Sequence, residues 1–278
     1  MNCVICKNPL DPVLENVGTH PSCFPFDELD EGDAFANMMK SLLIDVIMWA
    51  QADVMNPRGK QVAVGPSDLG TPCDRRVGYR LAGVDKVNTE FDPWPMIMGT
   101  AVHSWLETSF QAWNKWKTPD TWLTETTLHF QDFVEGHADL YNAEHQTVID
   151  WKGAGPDVMR KVRKEVPVGY RIQVQIYGYL FMLAGLPVKK VCLAFLPRAG
   201  WLKDMYLWCE DFDEDVAKAA ISRMYGIAQQ IVDMDILTHS HRWEQIPAQP
   251  SNDCGWCPYY DPGRDAERGA DATGCPGR

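Results

Sequence analysis

Nine cysteines fall unevenly along this 278-residue chain, and any fold must account for their grouping. Cys3, Cys6 and Cys23 lie near one end, and Cys254, Cys257 and Cys275 near the other. Cys73 stands alone, while Cys192 and Cys209 sit inside apolar runs. The N-terminus, MNCVICKNPLDPV, has no basic stretch leading into an apolar core, so it does not read as a signal peptide. A cytoplasmic, reducing setting is expected, in which cysteines hold metals or react rather than pair as disulfides. Cys192 and Cys209 then read as buried core thiols.

Residues 1–26 carry Cys3-x2-Cys6 and, after thirteen residues, His20-x2-Cys23. Two close ligand pairs across a short loop can close a tetrahedral zinc site. The loop between them is too short and polar to pack a core, so metal would supply the folding energy. A structural Zn²⁺ knuckle on Cys3, Cys6, His20 and Cys23 is expected.

With 45% hydrophobic and 23% charged residues, the chain is neither disordered nor fibrous. Its 26 basic residues against 38 acidic ones give a net charge of −12. That excludes a general nucleic-acid coat, and any nucleic acid must be met by a local basic groove. No run approaches the ~18 apolar residues of a membrane span.

After the acidic linker DELDEGD (27–33), the apolar period of AFANMMKSLLIDVIMWAQADV predicts a helix ended by Pro57 and Gly59. Ser67 or Asp68 is expected to cap a short helix carrying Cys73, Arg75, Arg76 and Tyr79. A further helix reads GTAVHSWLETSFQAW from Gly99, with Trp105 and Trp113 assigned to the core. Three strand-like runs follow, TWLTETTLHF, FVEGHADLY and TVIDWKG, the last two joined by the hairpin-sized NAEHQ. A helix over 169–185, strands KKVCLAFLPR and KDMYLWCEDF, and a helix from Asp213 to Asp235 complete the order. This predicts an α/β fold, a mixed central sheet flanked by helices. The expected divisions are a zinc knuckle (1–26), a helical region (27–95), a core (96–246) and a Pro/Gly-rich tail (247–278).

Asp150-Trp151-Lys152 is the sharpest local feature. Residues i and i+2 of a strand share a face, ~7 Å apart, so a carboxylate and an ammonium can hold a cation and a water together. Gly136-His137-Ala138-Asp139 puts a second carboxylate on the neighbouring strand, with His137 sharing the face of Asp139. His103 and Glu107 lie one helical turn apart. Two carboxylates and a histidine make a hard site suited to Mg²⁺ or Mn²⁺, which can polarise a phosphoryl oxygen and activate water. Each signal alone is weak; together and in this order they are not.

The order Gly99-Thr100-Ala101-Val102-His103, Gly136-His137-Ala138-Asp139, Asp150-Trp151-Lys152, Gln173-x3-Tyr177 resembles the RecB-like branch of the PD-(D/E)XK nuclease superfamily. With one cysteine ahead of these motifs and three behind, the chain is similar to the iron–sulfur exonucleases of that branch. These include the fourth CRISPR-associated family, the AddB nuclease domain and phage relatives. The resemblance spans roughly residues 65–278 and implies a restriction-endonuclease-like core. It implies metal ligation by His103, Asp139, Asp150 and the Trp151 carbonyl, with Lys152 positioning the attacking water. Gln173 and Tyr177 would orient the lysine or the DNA backbone, and Glu107 would support the metal ligands from outside.

The same resemblance implies that Cys73, Cys254, Cys257 and Cys275 form one site. Four thiolates hold either Zn²⁺ or an iron–sulfur cluster, and spacing does not decide between them; the resemblance favours 4Fe–4S. Seventeen residues separate Cys257 from Cys275, a spacer whose closure costs only ~1 kcal/mol more than a five-residue one. The implied activity is a metal-dependent DNA exonuclease hydrolysing phosphodiester bonds at single-stranded ends, alongside recombination or CRISPR-adaptation proteins. A non-catalytic DNA-end-binding scaffold is the alternative. Two basic clusters, Arg75/Arg76/Arg80 and Arg160/Lys161/Arg163/Lys164, are candidates for DNA contact, the second for the substrate entrance.

Overall fold

The computed structural model describes residues 31–50, 64–89, 92–117, 120–131, 133–262 and 274–277. Cys3, Cys6, His20 and Cys23, the expected zinc ligands, lie outside the described residues. The chain divides into two compact units, Met1–Lys60 and Gln61–Arg278. In the first, helix α1 (Glu31–Trp49) occupies most of the apolar-periodic run expected to be helical.

The second unit is built on one mixed sheet. Its strands lie in chain order: β1 (Trp122–Phe130), β2 (Val134–Asn142), β3 (Thr147–Ala154), β4 (Lys190–Pro197) and β5 (Tyr206–Asp211). Neighbours are antiparallel except β3 and β4, which are parallel. The connections explain this. Asn142 Oδ1 accepts the His145 N–H at 2.7 Å and closes the turn between β2 and β3. A parallel step needs a long crossover instead, supplied by α5 (Pro156–Val162) and α6 (Val168–Leu183). Val191, Leu193 and Phe195 of β4 are fully buried, as expected of an apolar strand beside a parallel neighbour.

Helix α6 buries Val174, Ile176, Leu180 and Phe181. Helix α7 (Glu214–Asp233) buries Ala217, Ile221, Met224, Ile227 and Ile231, a stripe at helical spacing. Asp213 caps α7, its Oδ1 accepting the Asp215 N–H at 3.0 Å. The helix α2 (Pro66–Leu69) meets α6 with nothing between them: a Cβ on Gly70 would stand 2.4 Å from the Gly169 carbonyl oxygen. Among the described residues, no helix is long and apolar enough to cross a membrane.

Five expectations need correction. The single helix expected to carry Cys73 is two helices, α2 and α3 (Asp74–Leu81), with Cys73 as the residue that starts the second. Pro72 has no N–H to give and biases Thr71 away from helix, so the turn breaks there. Gly65, not Ser67 or Asp68, starts α2; Asp68 instead reaches back to accept the Gly65 N–H at 3.0 Å.

Trp105 and Trp113 are 68% and 52% exposed, not core. On α4 (Trp94–Trp116) it is Phe110 that meets the sheet, 4.9 Å from Trp122 and 5.8 Å from Trp151 between ring centroids. Trp105, five residues earlier, lies ~140° around the helix.

Cys192 and Cys209 are not free thiols. They stand opposite each other in the β4–β5 register, Cα atoms 4.1 Å apart, and are joined by a disulfide. Cys192 is buried but Cys209 is exposed. Arg75, assigned to a DNA-contacting cluster, is 4% exposed and packs against the cysteine-bearing tail.

Candidate active site and cysteine site

The β2–β3 ladder ends at Leu140↔Ile149, just where Asp139 and Asp150 would be the next pair. Beyond that point Asp139 Oδ2 accepts the Trp151 N–H at 2.7 Å, so a side chain continues what the backbone ladder stops. A residue in an extended strand turns its N–H and C=O to the same edge, so the Trp151 carbonyl is offered there too.

His103 reaches this point from α4. Its Nδ1 lies 3.2 Å from Asp139 Oδ1 and 3.7 Å from Glu125 Oε1. Ligand atoms of His103, Glu125 and Asp139 all fall within 4.8 Å of one another. Hydrogen bonds to Asp139 and Glu125 push the His103 pKa up to about 10, against the opposing effect of burial.

Glu125 carries no spacing signal in the sequence. It lies within β1 at φ 42, and the register passes from Thr124↔Leu140 to Thr126↔Ala138 without it. Holding a non-glycine residue there costs ~1–3 kcal/mol, a strain typical of functional sites.

Across β3, Asp150 is 3% exposed. Its Oδ1 accepts from Gln173 Nε2 at 3.0 Å, and Lys152 Nζ stands 2.8 Å from its Oδ2. Lys152 also donates to Gln173 Oε1 at 3.0 Å and lies 5.0 Å over the Tyr170 ring. Gln173 therefore ties both groups of the Asp-x-Lys pair to α6. Burial raises the Asp150 pKa, with Asp139 adding and Lys152 opposing. Burial works against the Lys152 charge, but Asp150 and Asp139 outweigh it and the pKa is raised. One turn beyond Gln173, Tyr177 is buried, and that burial with the nearby Asp150 and Asp139 charges holds its hydroxyl far above its usual range.

The donor set suits a hard divalent cation. Buried Asp150 keeps Oδ2 beside Lys152 Nζ and feels the charges of Asp139 and His103, which with Glu125 bring ligand atoms within 4.8 Å of one another. His103, Glu125, Asp139, Asp150 and the Trp151 carbonyl are the groups that would hold it. Two nearby residues do other work. His137 Nδ1 pairs with Thr127 Oγ1 at 3.0 Å, and Glu107 accepts from Gln111, which also donates to Thr124 on β1.

Among the described residues the other four cysteines, Cys73, Cys254, Cys257 and Cys275, line one cavity with Arg76, Tyr79 and Tyr259. Cys73 comes from the start of α3, and Cys254 and Cys257 from the tail. Cys275 returns across its long spacer because Tyr260 and Cys275 pair as a short bridge. The Cys275 N–H donates to the Tyr259 carbonyl at 2.6 Å, and Asp261 N–H to the Cys275 carbonyl at 2.8 Å. N–H groups of Gln249, Ser251 and Gly277 point at Cys73, Cys254 and Cys275 sulfurs at 3.5, 3.4 and 3.5 Å. Arg75 Nη1 lies 3.7 Å from Cys275 Sγ while Nε donates to the Ile246 carbonyl at 3.0 Å.

No family model and no curated protein matches the chain. Several solved structures are similar in fold. The crystal structure of SSO0001 aligns at 17% identity and TM-score 0.45, covering 80% of this chain and 94% of that one. A phage-related exonuclease from Haemophilus somnus 129PT aligns at 14% identity and TM-score 0.40, covering 58% and 81%. An alkaline exonuclease from Laribacter hongkongensis aligns at 11% identity and TM-score 0.45, covering 64% and 92%.

Proposed function

We propose that this protein is a metal-dependent DNA exonuclease that hydrolyses phosphodiester bonds at single-stranded ends. The observation that carries the reading is the convergence of His103, Asp139, Asp150 and Lys152 where β2 and β3 part. Mg²⁺ or Mn²⁺ held by His103, Asp139, Asp150 and the Trp151 carbonyl would polarise a phosphoryl oxygen and acidify bound water. Lys152, kept charged by Asp150 and Asp139, orients the attacking water and meets charge developing on the phosphate. Gln173 fixes Asp150 and Lys152 relative to each other, and Tyr177 stays protonated as a hydrogen-bond donor beside them. Ends presented during recombination or CRISPR adaptation are the setting such an activity suits.

The four-cysteine site is read as a structural 4Fe–4S cluster that staples the tail to α3. Cys3, Cys6, His20 and Cys23 are proposed to hold a separate Zn²⁺. The test is twofold: release of nucleotides from end-labelled single-stranded DNA with Mn²⁺ but not with EDTA, and iron with acid-labile sulfide in protein purified without oxygen. A colourless protein containing zinc alone would sink the cluster, and no cleavage under any divalent ion would sink the exonuclease.

A further inference from the structure

The chain is acidic overall, at −12, yet one end of the sheet is not. Arg160, Lys161, Arg163 and Lys164 follow β3, Arg198 and Lys203 flank the turn between β4 and β5, and all six are exposed. The two segments are fastened together. Arg163 Nη2 donates to the Asp204 carbonyl at 2.9 Å, and the Arg163 guanidinium lies 5.3 Å over the Tyr206 ring.

This basic end adjoins the Asp-x-Lys pair. Lys152 and Ala154 register with Phe195 and Pro197, and the Arg198 N–H donates to the Ala154 carbonyl at 2.9 Å. Arg198 lies across Gly153, the residue after Lys152: a Cβ there would stand 3.4 Å from Arg198 Nε. On the α6 side a chain of ring contacts runs from Lys152 over Tyr170, through Phe195, to Tyr206 beneath Arg163.

At the tip of the β4–β5 turn, Trp201 and Leu202 are each 72% exposed. Turns ordinarily carry small polar residues, so an indole held out into water is unexpected. It is not loosely held. Gly200, at φ 121, makes the bend; the Trp201 N–H donates to Asp204 Oδ2 at 3.2 Å, and the Asp204 N–H to the Trp201 carbonyl at 2.9 Å. Asp204 thus fixes the tryptophan backbone with its side chain and Arg163 with its carbonyl. An exposed indole on a fixed backbone thus shares its turn with the carbonyl that anchors Arg163.

A polyanion whose bases are unpaired satisfies both halves of this surface, whereas a duplex satisfies only the charges. We propose that α5 and the β4–β5 turn form the arm that receives single-stranded DNA, its phosphates along Lys161, Lys164 and Arg198 and one base stacked on Trp201; Arg160 is already paired with Asp157. This rests on the nuclease reading and adds the strand form and the surface that selects it.

Binding of fluorescein-labelled oligo(dT) and of a blunt duplex by the full-length Asp150→Asn protein, followed by anisotropy across a salt series, tests it. Trp201→Ala added to this protein should weaken oligo(dT) binding at least fivefold, the lower bound for one stacked base, and leave duplex binding unchanged. Lys161→Ala with Lys164→Ala should flatten the oligo(dT) salt slope by about 1.4. All three positions are exposed, and unchanged melting confirms intact folding. Equal oligo(dT) affinity in the parent and both variants overturns the proposal, as does an equal loss on oligo(dT) and duplex in the Trp201→Ala variant. Failure of the nuclease reading looks different: wild-type protein with Mn²⁺ releases no nucleotides, whatever these affinities are.

Discussion

The backbone N–H of Trp151 donates to Asp139 Oδ2 at 2.7 Å, two residues past the end of the β2–β3 ladder. The bond holds the parting strands at a fixed separation and turns the other Asp139 oxygen toward His103. Asp139 therefore has one oxygen on a backbone N–H and one beside His103, and Asp150 is held between Gln173 at Oδ1 and Lys152 at Oδ2.

Asp150→Asn keeps the shape and the oxygen that accepts from Gln173 but removes the charge that holds the cation. Cleavage in Mn²⁺ should fall at least a hundredfold, ~2.7 kcal/mol of barrier, with melting temperature retained. Wild-type rates in this variant would remove Asp150 from the site.

Gln173→Ala withdraws one hydrogen bond from buried Asp150 and one from Lys152. A loss of ~1–3 kcal/mol in folding stability is expected, together with a drop in cleavage rate that added Mn²⁺ does not restore. Denaturant unfolding and a metal titration of the rate check the two parts separately.

Metal-free protein should carry a proton on His103 at neutral pH, since its pKa of about 10 exceeds the ordinary 6.5. A pKa raised on folding stabilises fully below 6.5 and loses that contribution as pH rises toward 10. The melting-temperature advantage of the metal-free protein over His103→Gln should shrink across that window. Ligation requires the neutral ring, so Mn²⁺ binding near neutrality should release about one proton, read from the buffer dependence of calorimetric heats. Glu125→Gln should weaken Mn²⁺ binding ~10–100-fold.

Cys73→Ala, Cys254→Ala and Cys275→Ala should each lose iron and visible absorbance and lower the melting temperature to a similar degree. Cys192→Ala should leave iron content unchanged. If Cys275→Ala keeps its full iron while Cys209→Ala loses it, the ligand set is wrong.

The Cys192–Cys209 disulfide spans a sequence separation of 17, and closing a loop of that size contributes ~3 kcal/mol. Under dithiothreitol the wild-type protein should lose about that much, and Cys192→Ala, which has no bond to lose, should show no response.

Periodicity and motif order were enough to read the sheet and its flanking helices, because strand and helix burial impose periods of two and 3.6 on any sequence. The same local logic drew attention to His103, Asp139, Asp150 and Lys152, since i+2 in a strand and i+4 in a helix fix a shared face, whereas Gln173 and Tyr177 stood out only through the family resemblance. Glu125 was invisible: it lies between the Thr124↔Leu140 and Thr126↔Ala138 pairs and meets Asp139 and His103 only once β1 is set against β2, which no spacing within one strand encodes. Arg75 read as a surface cation by its charge, whereas α3 buries it against the Cys275 sulfur. The Cys192–Cys209 bond depends on which residue of β5 stands opposite which residue of β4, a register set by the turn and the core rather than by either strand alone. Local chemistry along the chain determined which groups exist and which face each takes. Long-range packing decided which groups meet, because contacts between residues far apart in sequence follow from how elements bury one another, and no local pattern records that.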